Sequence, residues 1–299
     1  MSARQLKICV AALWLACLAS DIRADPPANK PEPSFLRLRR DAADEPLALE
    51  TVVATYKGLV QGKEVVVDLV GAVHIGDKSY YDALNKAFET YDLVLYELVA
   101  PRDTTPLPGQ RSAHPVSFLQ LTMKNMLALD FQLDRIDYGK KNFVHADMTP
   151  EEFAESMNQR GESMTQMFLR MFGQSIVMQS REPARSGDAQ LLSALFAKPE
   201  VRALRLKRAM AEQFEDMEIA TAVLDGPDGS TIVTERNKAA LRVLRQQLDA
   251  GHARIAIFYG AAHLPDMEER LVAEFQLKRS GTKWLTAWNL SGADNNPDE

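Results

Sequence analysis

Gly71-Ala72-Val73-His74-Ile75-Gly76-Asp77 and Gly260-Ala261-Ala262-His263-Leu264-Pro265-Asp266 are one pattern written twice. In each, a histidine stands three residues after a glycine and an aspartate three residues after the histidine. Imidazole is the commonest metal ligand among side chains and the group that most readily exchanges a proton near neutral pH. The small residues leading into each histidine let the backbone approach a partner that a branched Cβ would hold off. A third group is Glu97, which ends the apolar run Leu93-Val94-Leu95-Tyr96 and can serve as a metal ligand or, one step back, as a general base. Downstream, His145 and Asp147 follow Asn142-Phe143-Val144; Asp147 is either a further ligand or part of the helix start at Thr149. Two imidazoles with one or two carboxylates match a divalent metal site that keeps a position open for water. A cation there lowers the pKa of bound water and supplies a nucleophile without cysteine or an activated serine. His114, beside Pro115, and His252, after Gly251, sit at helix boundaries and read as local.

These groups need strands to carry them. Leu49 to Val60 and Glu64 to Val73 are rich in β-branched residues and joined by Gln61-Gly62-Lys63, which predicts a hairpin. Val65 to Val70 is apolar at nearly every position, as in a strand buried on both faces. Asp77 or Ser79 can cap a helix over Tyr80 to Tyr91, and Leu93 to Tyr96 predicts the next buried strand. Pro115 suits the first turn of a helix running to about Leu129, and Asn142 to Ala146 predicts a short strand. Thr149-Pro150-Glu151-Glu152 predicts a capping box opening a helical region over 151–218, broken by Leu224 to Gly229. A helix from about Thr231 to Ala250, closed by Gly251, feeds the strand Arg254 to Tyr259, and a last helix and the strand Trp284 to Trp288 follow. Strands alternating with helices predict an α/β fold. Its core is expected to be a mixed, largely parallel sheet in two pseudo-symmetric halves, with 151–218 as a helical insert. His74, Glu97, the His145/Asp147 pair and His263 all fall at C-terminal strand ends, where open α/β sheets gather ligands.

The two cysteines, Cys9 and Cys17, both lie in the first twenty residues, so a disulfide framework is excluded for the rest of the chain. Arg4 and Lys7 precede an apolar run of about twelve residues from Ile8 to Ala19, the pattern of a secretory signal. That run is shorter than the about twenty residues a membrane-spanning helix needs. Residues 1–24 are therefore expected to be cleaved, with lipidation of Cys17 as the alternative that would tether the protein to a membrane. The location is then periplasmic or extracellular. Residues 25–46, with Pro26, Pro27, Pro31 and Pro33, read as a linker, 47–290 as the folded domain and 291–299 as a polar tail. Removing 1–24 takes three bases (Arg4, Lys7, Arg23) and one acid (Asp21), so the net charge of −6 becomes −8. Such a surplus of acids argues against a nucleic-acid partner.

Four elements in order, Gly71 to His74, Glu97, Glu235-Arg236-Asn237 and Gly260 to Leu264, resemble the TraB/GumN family, related to the TIKI metalloproteases. The resemblance runs over residues 47–290. It implies an α/β fold of the EreA/ChaN kind and a Mn-, Co- or Zn-dependent hydrolase, peptidase-like, acting on a peptide or small-molecule substrate. His74, His263 and Glu97 become the metal set, which Asp147 joins by its own strand-end position, and Glu97 and Arg236 the catalytic residues. Arg236 would orient a substrate carboxylate or stabilise an oxyanion. Asp266 stands where the family often has glycine. Alternatives are an exported haem- or iron-binding protein of the ChaN kind and a non-catalytic interaction module. Met157, Met164, Met167, Met171 and Met178 recur at helical spacing, as a core seam or as the apolar wall of a ligand site. Leu204-Arg205-Leu206-Lys207-Arg208 reads as a solvated basic helix face.

Overall fold

The computed structural model describes residues 35–102, 104–106, 127, 129–163, 194, 196–198, 201–212 and 229–292. Its centre is a seven-stranded sheet. The hairpin of β2 (Pro46–Val60) and β3 (Lys63–Ala72) turns at Gln61 and Gly62, with φ of 51° and 77°. Two successive left-handed residues are what a two-residue turn requires to match the strand twist, and the glycine adopts that conformation without a Cβ penalty. Parallel strands then add to β3 in the order β8 (Arg254–Gly260), β5 (Leu93–Tyr96), β7 (Phe143–His145). β5 is buried at every position and β8 at five of its seven, as expected for parallel strands covered on both faces. On the far edge of β2 lies β9 (Lys278–Asn289), antiparallel and longer than the predicted strand at 284–288. The chain is thus mixed α/β.

The sheet begins earlier than the expected domain start at residue 47. β1 (Leu36–Arg40) lies inside the segment read as linker and pairs antiparallel with the first half of β2. Phe35, Leu36 and Leu38 are buried, while Arg37 and Arg39 both reach Glu50. The alternation of apolar and basic residues is the period of a half-buried strand, which the neighbouring prolines obscured.

α1 (Lys78–Phe88) starts after Asp77, as expected, but the aspartate does not cap it. Its carboxylate instead accepts from the Asn289 N–H and from Lys207. That contact corrects the reading of 204–208 as a solvated face: Lys207 is largely buried, Arg208 donates to the Leu290 carbonyl, and Leu206 belongs to the core. The rest of the pattern is compact. β4 (Ile75–Gly76) pairs with β6 (Asp130–Phe131), which leads into the short α2 (Gln132–Arg135). α3 (Pro150–Gln159) carries the complete Thr149/Glu152 capping box. A π-helical turn, Thr231–Glu235, precedes α4 (Arg236–Asp249), and a 3₁₀ turn, Ala261–His263, precedes α5 (Leu264–Phe275). Of the insert 151–218, residues 151–163, 194, 196–198 and 201–212 are described, and the stretches 151–163 and 201–212 are largely helical. The helix expected at 115–129 falls largely outside the described residues, as do Met164, Met167, Met171, Met178 and the break at 224–228.

Candidate functional site

β3 and β8 are neighbours with Ala72 opposite Gly260, so the two histidine motifs leave the same rim of the sheet side by side. From there they diverge. After β3 the chain stays extended through Val73 and His74 into β4, and after β8 it winds at once into the 3₁₀ turn. The His74 backbone is pinned: its carbonyl accepts from the Gln132 N–H, and the flanking Val73 and Ile75 carbonyls accept from Tyr81 Oη and Trp288 Nε1. Its side chain, by contrast, is exposed, and close enough to Glu97 for its charge to favour that carboxylate.

His263 is buried, and its tautomer follows from its neighbours. Nδ1 lies 2.7 Å from Asn237 Oδ1, while Asn237 Nδ2 donates to the His263 carbonyl at 2.9 Å and to Asp266 Oδ2 at 2.8 Å. With its NH₂ committed to two acceptors, Asn237 offers only its oxygen to the ring, so Nδ1 carries the hydrogen and Nε2 the lone pair. Arg270 holds Asp266 in turn. Asp266 is therefore what fixes the asparagine.

Nε2 faces Arg236 Nη1 at 3.5 Å and Glu97 Oε1 at 3.6 Å. Arg236 is the hub. Its Nε and Nη2 bind the two oxygens of Asp147 at 3.0 and 2.6 Å, and Nη2 also reaches Glu97 Oε1 at 2.7 Å. Glu97 Oε2 accepts the Gly260 N–H at 2.7 Å, and a Cβ at Gly260 would stand 3.3 Å from that oxygen. Glycine there serves the close approach; at Gly71 a Cβ would meet only ordinary van der Waals neighbours. Tyr259 stacks edge-on to His263 and donates to the Ala146 carbonyl.

Burial alone would raise the Glu97 carboxyl. In the acid range where it titrates, the charges of His263 and Arg236 and the Gly260 N–H outweigh burial and hold it at about 2. Burial pushes the His263 imidazole below its ordinary value, Glu97 offsetting this only in part. Burial also opposes the Arg236 charge, but Asp147 and Glu97 secure it above its ordinary value. At neutral pH the cluster therefore holds a guanidinium, a Glu97 carboxylate and a neutral imidazole.

Of the expected site residues, Glu97, Asp147, Arg236 and His263 meet, with His74 at the rim beside them. Asp147 is not placed as a metal ligand: both oxygens grip the guanidinium, Oδ1 also accepts the Met148 N–H, and the side chain is fully enclosed. His145 is not joined to this cluster; it packs against Tyr96 and bonds the Leu98 carbonyl through Nε2. Among the described residues no three His, Cys, Asp or Glu side chains stand close enough together to cage a metal ion. The donors whose chemistry fits a divalent cation are the His263 Nε2 lone pair, Glu97, whose oxygens each keep a second lone pair, and His74. Asn237 closes the Glu-Arg-Asn run, where residue type alone gives it no role; the one sequence signal for it is its position directly after the site arginine. No family model, curated protein or solved structure matches the chain.

Proposed function

We propose that the chain is an exported metal-dependent hydrolase of the TraB/GumN and TIKI kind, peptidase-like, with its site at the rim shared by β3, β5 and β8. The observation that carries this reading is the tautomer of His263. A buried imidazole whose Nδ1–H is anchored by a side-chain amide, with Nε2 turned towards a carboxylate and an arginine, is the arrangement that orients metal-binding histidines. Glu97 and His263, which already face each other, would hold Mn, Co or Zn once the exposed His74 side chain swings in from the rim, and the bound ion would supply an acidified water.

The chain's own groups do the rest. Glu97, ionised at neutral pH, is charged in the state a base requires. Arg236, locked by Asp147, presents a fixed positive charge beside His263, where an oxyanion or a substrate carboxylate would be stabilised without reorganisation. Asp147 keeps that charge in place.

The test is elemental analysis and thermal unfolding of the purified chain with and without added Mn²⁺, Co²⁺ or Zn²⁺, followed by cleavage of a peptide panel. We expect about one metal per chain, a raised Tm and metal-dependent cleavage, all lost in His263→Ala. No metal at any stoichiometry and an unmoved Tm with all three ions would overturn the reading, and a Soret band on haem addition would favour the ChaN-like alternative.

A further inference from the structure

Arg236 has a bracing that lies outside the cluster it serves. The residues just before it form a π-helical turn, with the Glu235 N–H bonded to the Ser230 carbonyl at 3.0 Å and the Ser230 hydroxyl accepting from the Val233 N–H at 3.1 Å. Single π-turns are rare and unstable alone, because each widens the helix and loses packing along its axis. This one is held from outside. The Glu162 carboxylate accepts the Thr231 N–H, at 3.0 Å to Oε2 and 3.3 Å to Oε1. Arg160 fixes that carboxylate through Nε at 2.7 Å, donates through Nη2 to the Gly229 carbonyl and approaches Glu235 Oε1 through Nη1 at 3.7 Å. The Ser156 hydroxyl meets the Thr231 hydroxyl at 2.9 Å. The turn entrance admits only glycine at 229: φ is 71°, and a Cβ would fall 2.4 Å from Thr234 Oγ1.

Ser156 lies on α3, Arg160 and Glu162 follow it, and Asp147 lies just ahead of it. A ten-residue helix is about 15 Å long. α3 therefore works as a splint: before its start Asp147 grips the Arg236 guanidinium, and beyond its end Arg160 and Glu162 grip the backbone that delivers Arg236.

We infer that Arg160 and Glu162 are positioning residues for Arg236, setting its guanidinium through the π-helical turn. This rests on Arg236 belonging to the site, as proposed above. The bonds of both go to Thr231, Gly229, Glu235 and each other rather than to the cluster residues themselves. Their effect passes through the Thr231 N–H and the Gly229 carbonyl, so any movement of α3 is transmitted to the site arginine.

The experiment reads Arg236 directly and needs neither metal nor substrate, so failure of the hydrolase reading and failure of this one are distinguishable. In the full chain, solvent exchange of the Arg236 Nε–H is followed by ¹⁵N NMR in wild type, Glu162→Ala and Glu162→Gln. Loss of a charge-assisted bond opens such a joint by about tenfold or more. We expect exchange at Arg236 Nε to quicken by about that factor in Glu162→Ala, and to return most of the way in Glu162→Gln, which keeps an acceptor for Thr231. Amides of β3 and β8 should be unchanged. Unchanged exchange at Arg236 Nε in folded Glu162→Ala, with only the Thr231 amide loosened, would overturn the proposal. If that variant fails to fold, Arg160→Gln is compared with wild type instead; quickened exchange at Arg236 Nε supports the inference and unchanged exchange overturns it.

Discussion

Arg236 shows how a single side chain can be indispensable without being a net source of stability. It is buried between two carboxylates, Asp147 fully enclosed and Glu97 nearly so. Forming such a group costs desolvation that the attraction roughly repays, but breaking it strands charges with no partner. We therefore expect Arg236→Met to destabilise the fold by about 3–5 kcal/mol, seen as a lower urea midpoint at pH 7. Adding Asp147→Asn and Glu97→Gln to Arg236→Met should recover a large part of that loss, since no ionised group is then left behind. A single variant as stable as wild type would show that the cluster is wetter than its enclosure implies. At this scale residue type and strand-end position singled out His74, Glu97 and His263, and the family resemblance singled out Arg236; in the fold Glu97, Arg236 and His263 meet, with His74 exposed at the rim. The sequence was not legible for Asn237, Asp266 and the true partner of Asp147, because those roles are hydrogen bonds between segments distant in sequence.

Among the elements, strands and capped helices followed from local rules. The Gln61-Gly62 turn, the Thr149 capping box and the Gly251 stop, with φ of 98°, each rest on residues adjacent in the chain. The π-helical turn did not, since residues 231–235 read simply as the first turn of a helix, and the bonds from Arg160 and Glu162 that favour the wider form come from elsewhere. The start of β8 illustrates the same kind of remote support. Asp92 accepts the N–H groups of Ala253 and Arg254 through one carboxylate oxygen, at 2.9 and 2.8 Å. These two backbone bonds, outweighing the small cost of burial, lower its pKa below the usual 3.8. A carboxyl whose folded pKa is depressed stabilises the fold fully above its unfolded pKa, and loses that contribution as pH falls through the folded value. Asp92 is exposed, so solvent screening keeps the effect small. Asp92→Ala should cost about 1 kcal/mol at pH 7, and the gap between variant and wild type should narrow as pH drops below 3.8. Urea midpoints at pH 7, 4 and 3 check both the size and the sign; a gap that widens with acid would show that the charge of Asp92 opposes folding.

At the scale of the molecule, one long strand organises the sheet. β2 takes β1 and β3 on one edge in succession and β9 on the other, so both ends of the described chain close on the same element. That closure reaches the site, because the end of β9 supplies the Ala287 carbonyl to Asp77 N–H and the Trp288 indole to the Ile75 carbonyl, holding the loop that carries His74. Local periodicity could not reveal it, since pairing between residues as far apart as Leu36 and Thr51 or Thr51 and Leu285 leaves no mark within either segment. The consequence is a sharp difference between two truncations. A chain beginning at Ser34 keeps β1, whereas one beginning at Leu47, where composition alone puts the domain start, loses the buried Phe35, Leu36 and Leu38. It also leaves Glu50, 6% exposed, without Arg37 and Arg39. Burying each of the three apolar side chains is worth about 1.5–3 kcal/mol, so the shorter chain should be less stable by at least about 4 kcal/mol, visible as a lower urea midpoint. Because β1, among the described residues, pairs only with β2, that loss propagates through β2 to β9 and to the His74 loop; hydrogen exchange at Ile75 and Gly76 should quicken together with exchange in β9. Equal midpoints for the two chains would mean that β1 rests on the sheet without closing it.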